Sequence, residues 1–253
     1  MSVLSRHIYV VMYLLLASPL AFAADNGLEQ LPFAKKMQLA KAGDPDAKMA
    51  VAIALESGID TKADSAKAAK WFREAALTGN YEAQFRLAKI VDKGAPGLKA
   101  DRATALKLLQ SAANHGHAAS ENLLGQMFQN GDGVAKDEKA AVGWYRKAAE
   151  QKLAVAQNNL GVMLLKGIGV DRNLDEAFKN FTTASDGGDA WAMNNLGGMY
   201  EMGWGTKKDL HKAKSLYQKA ADKGIAISSK NLMRLAGTAS TTSAPQITTP
   251  IKQ

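Results

Sequence analysis

The chain has 253 residues and no cysteine. That absence excludes disulfides, thiolate nucleophiles, cysteine-held metals and a lipid-modified cysteine at a processed N-terminus. Histidine is nearly missing as well: beyond the first 23 residues only His115, His117 and His211 remain. Stability must therefore come from packing, and a metal site at "HGH" would still need two more ligands. No stretch alternates apolar and polar residues with a period of two, so no sheet is expected. Neither G-x-S-x-G nor H-E-x-x-H occurs, and no pair of candidate acid and base groups stands out. The formal charge of +8 is spread among Asp and Glu rather than massed on one segment, which argues against a nucleic-acid partner.

What is present begins with a leader. Arg6 precedes the apolar run "IYVVMYLLLA", and "SPLAFA" then places Ala21 and Ala23 as a secretory cleavage site requires. Residues 1–23 read as a signal peptide cut after Ala23. An uncleaved anchor is the alternative, but the apolar run falls short of the ~20 residues a membrane span needs. Cleavage would leave no membrane span and a net charge of 31 − 24 = +7.

Sliding the sequence against itself reveals a period of 36. "NNLGVMLLKGIG" from Asn158 is answered by "NNLGGMYEMGWG" from Asn194. One glycine column reads Gly58, Gly94, Gly131, Gly167, Gly203, and a second reads Gly43, Gly79, Gly116, Lys152, Gly188, Gly224. An extra residue between Gly94 and Ala105 marks a loop. Ala47, Ala83, Ser120, Ala156 and Ala192, with Val51, Leu87, Leu124, Leu160 and Leu196 four residues on, form the stripe of a first helix. The second helix carries Ala68, Ala105, Ala141, Ala177, Ala213, then Phe72, Leu109, Tyr145, Phe181, Tyr217, then Ala75, Ala112, Ala148, Ala184, Ala220, all on one face. Asp64, Asp101, Asp137, Asn173 and Asp209 stand where an N-cap is needed, and the glycines where a helix ends.

A single such hairpin cannot bury its apolar face alone, so five must stack. The expected fold is all-α, a right-handed α/α superhelical solenoid of five helix-turn-helix repeats with capping helices. The expected organisation is a segment 24–42 with a capping helix, repeats over 43–224, a closing helix over 225–236 and a Ser/Thr/Pro-rich disordered tail over 237–253.

With "ENLLGQMFQNGDGVAKDEKAAVGWYRKAAEQ" in copy three and "NNLGGMYEMGWGTKKDLHKAKSLYQKAADKG" in copy five, the chain resembles the Sel1-like repeats, relatives of the tetratricopeptide class. Copies one and two depart from the pattern, with Asp60 and Pro96 in place of the second glycine. The resemblance implies a non-enzymatic solenoid that serves as an adaptor or binding scaffold, often in the bacterial envelope or secreted. Some relatives regulate, some contact a host and some are periplasmic antidotes to delivered toxins. A few cysteine-rich members are linked to β-lactam binding or hydrolysis, a subgroup this cysteine-free chain matches poorly.

The expected partner is another protein, an envelope component or a toxin, with no cofactor and no metal. Residues turned away from the stripe of the first helices should line the inner face: Phe85, Lys89, Asn122, Gln126, Asn158, Asn194 and Glu201. An amide ladder of Asn122, Asn158 and Asn194 could bond an extended partner, or the same asparagines could bond the backbone of the next repeat. Trp191 and Trp204 occupy columns that elsewhere hold small or polar side chains, and suit binding hot spots or lids over a neighbouring repeat. The alternative function is a binder or hydrolase directed at peptidoglycan or β-lactams.

Overall fold

The computed structural model of the chain describes residues 27–237 and 245–247. The expected signal peptide and most of the tail lie outside these residues. Among the described residues there are twelve α-helices and no strand; one isolated bridge, Ala95 to Leu98, closes the loop that carries the extra residue of copy two. None of the helices is long and apolar enough to cross a membrane.

A lone helix α1 (Phe33–Lys41) precedes five hairpins. Copy one is α2 (Pro45–Ser57) and α3 (Ser65–Ala76), copy two α4 (Tyr81–Lys93) and α5 (Arg102–Asn114). Copy three is α6 (Ala118–Asn130) and α7 (Glu138–Glu150), copy four α8 (Ala154–Lys166) and α9 (Leu174–Asp186). Copy five is α10 (Ala190–Met202) and α11 (Leu210–Asp222), and α12 (Ala226–Leu235) closes the stack. Each helix packs on the helices before and after it in the chain, as an α/α solenoid requires.

The repeat columns are the core. Every residue of the Ala–aromatic–Ala face is buried, including Phe72, Tyr145, Phe181 and Tyr217 at 1% exposure or less. Boundaries form for local reasons. Asp64, Asp101, Asp137, Asn173 and Asp209 each accept the backbone N–H three residues on, at 2.9–3.0 Å, which offsets a donor the helix leaves unpaired. Both glycine columns adopt positive φ, and so do Lys152 (φ 63), which breaks the second column, and Asp60 (φ 59), which stands where later copies have the second glycine of a pair.

The second glycine of a pair is needed for close approach too. A Cβ on Gly169 would lie 2.3 Å from the Glu138 carbonyl oxygen, and one on Gly205 2.4 Å from that of Leu174. These loops therefore seat each hairpin on the first turn of the preceding repeat's second helix and leave no cradle for a phosphate.

Inside each of the last three hairpins a ring sits directly on a helical glycine. A Cβ at Gly125, Gly161 or Gly197 would come within 2.6–2.8 Å of Tyr145, Phe181 or Tyr217. First helices are consequently wrapped on nearly all sides: Ala156 to Leu165 and Ala192 to Gly198 are buried without a break. The first helices α8 and α10 also touch one another across the repeat boundary, which puts them on the inner side of the stack.

The two histidines of "HGH" are structural. His115 stacks on Tyr81 with ring centroids 4.5 Å apart. His117 caps α6, its Nδ1 accepting the Ser120 N–H at 3.3 Å. With Nδ1 accepting, Nε2 donates to Glu82 Oε2 at 3.0 Å, and Glu82 also accepts from Arg86, which reaches Glu56 of copy one. Burial raises the affinity of Glu82 for a proton, but the His117 hydrogen bond and the Arg86 charge outweigh it and hold the carboxyl below its usual range.

Three outcomes are expected. Gly143 lies in α7 with open space around it, so Gly143→Ala should stabilise by about 1 kcal/mol through helix propensity. Gly161→Ala should instead destabilise by about 1–2 kcal/mol in urea unfolding, because overpacking against Phe181 exceeds that gain; equal gains at both sites would contradict the packing. A depressed carboxylate stabilises above its unfolded pKa and loses that contribution as pH falls through the folded value. Urea stability measured between about pH 5 and pH 3 should therefore decline less steeply for Glu82→Gln than for the parent chain.

Candidate functional site

The doubled asparagines explain themselves once the hairpins are stacked. The column Asn159, Asn195, Asn231 donates to the column Asn122, Asn158, Asn194 of the preceding repeat: Asn159 Nδ2 to Asn122 Oδ1 at 3.0 Å, Asn195 Nδ2 to Asn158 Oδ1 at 2.9 Å, and Asn231 Nδ2 to Asn194 Oδ1 at 3.0 Å. Ser228 Oγ adds a second donor to Asn194 Oδ1 at 2.9 Å. Each bond between neutral groups contributes on the order of 1 kcal/mol net, and together they fix one repeat's rotation against the next.

The expectation that Asn122, Asn158, Asn194 and Glu201 line an open surface is thereby corrected. All four are buried, Asn158 and Asn194 completely, because the residues opposite the hairpin core face the neighbouring repeat. Glu201 accepts from Arg234 of α12 through both oxygens, at 2.5 and 2.6 Å, and from the Tyr217 hydroxyl at 2.9 Å. Burial, reinforced by the Glu201 charge, raises the Tyr217 hydroxyl above its ordinary pKa; the hydrogen bonds to Glu201 raise Arg234. Two copies earlier the Gln129 amide oxygen serves the same purpose, accepting from the Tyr145 hydroxyl at 2.6 Å.

One functional group of this ladder points elsewhere. Asn194 Nδ2, left over once Oδ1 is bound, donates to the backbone carbonyl of Gln246 at 2.9 Å. The expectation of a disordered tail over 237–253 is corrected at Pro245, Gln246 and Ile247, which lie against α10; the tail's other residues beyond Gly237 fall outside the described ones. Pro245 is buried and Gln246 exposed, while Ile247 is half-buried against the core of copies four and five. A Cβ on Gly198 would meet Ile247 at 3.2 Å and Pro245 at 3.5 Å, so the missing side chain makes the floor on which the segment rests. Beside it Leu165, Lys166, Arg172 and Trp204 complete a cleft of about 290 Å³.

The other expected residues divide. Trp204 is half-buried, packed on the core and facing the cleft. Trp191 is likewise half-buried, packed against the terminal cluster with Leu216, Ile225 and Ile227. Phe85 is half-buried with exposed Lys89 over its ring at 5.5 Å, far along the stack from the tail, and Gln126 is half-buried between the two. Sequence reasoning missed Asn231, Pro245 and Ile247. Asn159, Asn195 and Asn231 do fall in one 36-residue column, so that signal was available in a helix read only as a cap.

The described residues hold no group of three or more His, Asp and Glu able to bind a metal. Nor does the cleft bring an acid and a base together: its polar side chains are two cations.

Among curated proteins none matches the chain. Among solved structures it is similar to a protective antigen with an SLR fold from uropathogenic Escherichia coli, at 29% identity and a TM-score of 0.71. That likeness covers 83% of this chain but only 45% of the antigen, so the chain spans under half its length. A Sel1 repeat protein from Oxalobacter formigenes is similar at 27% identity and the same TM-score, over 80% of this chain and 89% of that one. An immunity protein from Pseudomonas aeruginosa shares the fold at 16% identity and a TM-score of 0.52, over 76% and 74% of the two chains. The Sel1 repeat model itself matches five times, at residues 45–80, 82–117, 118–153, 154–189 and 192–225, and with the helices and columns described above the chain belongs to the Sel1 repeat family.

Proposed function

We propose that the chain is an exported, non-catalytic scaffold of the bacterial envelope that binds another protein through the inner face of copies four and five. The observation that carries this reading is the extended segment held there: a side-chain amide donates to its main chain while two apolar side chains settle on a glycine floor and in a cleft. Main-chain hydrogen bonding with alternate side-chain pockets is how folded domains take up extended peptides. The expected leader over residues 1–23 supports the envelope as its place of work.

Neutralising a delivered toxin from the periplasm is the narrower form of this reading. It suits a small exported chain whose cleft offers shape and positive charge from Lys166 and Arg172 rather than reacting groups. The likeness to the P. aeruginosa immunity protein supports the shared fold.

Expression with the native leader should yield a protein that starts at Ala24, visible in the intact mass; retention of residues 1–23 would remove the export arm. In-cell crosslinking followed by affinity capture should recover one dominant envelope or effector protein. Gly198→Leu, which fills the groove without reaching the hairpin core, should reduce that recovery at least tenfold. Recovery of purified cell-wall fragments in place of protein would favour the peptidoglycan reading instead.

A further inference from the structure

The ladder orients more donors than the described tail uses. In Asn194 the carboxamide oxygen is fixed by Asn231 and Ser228, and Nδ2 donates to the Gln246 carbonyl at 2.9 Å and to Asn195 Oδ1 at 3.3 Å. In Asn158 the oxygen is fixed the same way by Asn195, one repeat earlier. Its Nδ2 is therefore set toward the same face. Yet Asn158 Nδ2 is buried and has no hydrogen-bond partner among the described residues. A buried amide donor without an acceptor is rare and costs stability. Asn122, its oxygen bound by Asn159, continues the line into copy three.

Side-chain selection is concentrated where Pro245 and Ile247 sit, over Gly198 and beside Leu165 and Trp204. The intervening Gln246 is exposed and is held through its backbone alone.

We propose that the groove over α8 and α10 is a receptor for an extended peptide bearing proline, any polar residue, then a branched aliphatic residue, and that Pro245–Ile247 is the chain's own competing occupant. This rests on the protein-binding reading above and deepens it. A partner segment of the same chemistry enters by displacing the tail, gains the cleft beside Trp204 and extends onto Asn158. Tethering sets the tail at an effective concentration on the order of millimolar, so weak partners are refused and strong ones admitted.

The test uses the full chain and a fluorescent peptide of its own residues 238–253, followed by anisotropy. Ile247→Asp in the protein empties the groove without touching the solenoid, and this variant should bind the peptide at least tenfold more tightly than the parent chain does. The peptide carrying Ile247→Asp should bind neither. Adding Gly198→Leu to the Ile247→Asp protein should abolish binding with helical dichroism unchanged. Asn158→Asp keeps the acceptor for Asn195 but removes the donor, and should weaken binding about tenfold. Equal affinity for parent and Ile247→Asp proteins, no binding to the variant, or indifference to Gly198→Leu would each overturn the proposal. The protein-binding reading fails by a different result: capture that recovers no protein partner from cells, whatever the peptide does.

Discussion

Everything in this solenoid depends on how closely the two helices of a hairpin approach. In copies three to five the ring of Tyr145, Phe181 or Tyr217 lies on a helical glycine, Gly125, Gly161 or Gly197, with no room for a methyl group. A glycine inside a helix sacrifices about 1 kcal/mol of helix propensity, so the contact must return more than that in packing. Once the hairpin closes on that ring, the orientation of the first helix is no longer free. Its apolar stripe is consumed by the partner helix, and its remaining faces are presented to the next repeat and to the groove.

The asparagine pairs follow from that orientation. A face that meets another repeat across a buried boundary can be apolar and slippery, or polar and registered; copies three to five, with α12, use the second solution. The bond from Asn231 to Asn194 shows that α12 completes the series, and Arg234 with Glu201 and Tyr217 secures the same boundary with charge. In copies one and two the equivalent boundary is held by the Glu56, Arg86, Glu82 and His117 chain instead. Different chemistry thus serves one mechanical need at the two halves of the stack.

Most of the fold was legible because its determinants are local or periodic. Asp64 to Asp209 cap helices by reaching three residues along the chain, and the alanine and aromatic columns repeat at a fixed step. The candidate site was less legible. A helical wheel separates one apolar stripe from everything else, but a solenoid helix has two kinds of polar face, one against the next repeat and one toward the groove. Asn158, Asn194 and Glu201 are polar and turn out buried, so polarity alone misreported exposure. Trp191 stood out because its column otherwise holds no aromatic ring, and the structure packs it, half-buried, on the cluster of Met193, Ala220 and Ile225. The tail carried no signal at all in its composition, since its docking rests on one carbonyl and two side chains.

So sparse a set of contacts limits what the groove can recognise. An amide that is locked by one neighbour and donates to a main-chain carbonyl is indifferent to sequence, so the ladder by itself confers affinity for any extended chain. Selectivity has to come from the glycine floor at Gly198 and the cleft beside Trp204, which accept a compact ring and a branched side chain and leave the residue between them in water. Lys166 and Arg172 at the rim add a preference for negative charge near the branched residue, which the chain's own Pro245–Ile247 does not supply. A partner segment that keeps the branched residue in the cleft and carries an acidic residue beside it at the rim would therefore outcompete the tail through the one feature the tail lacks, and the self-occupied groove would discriminate by charge as well as by shape.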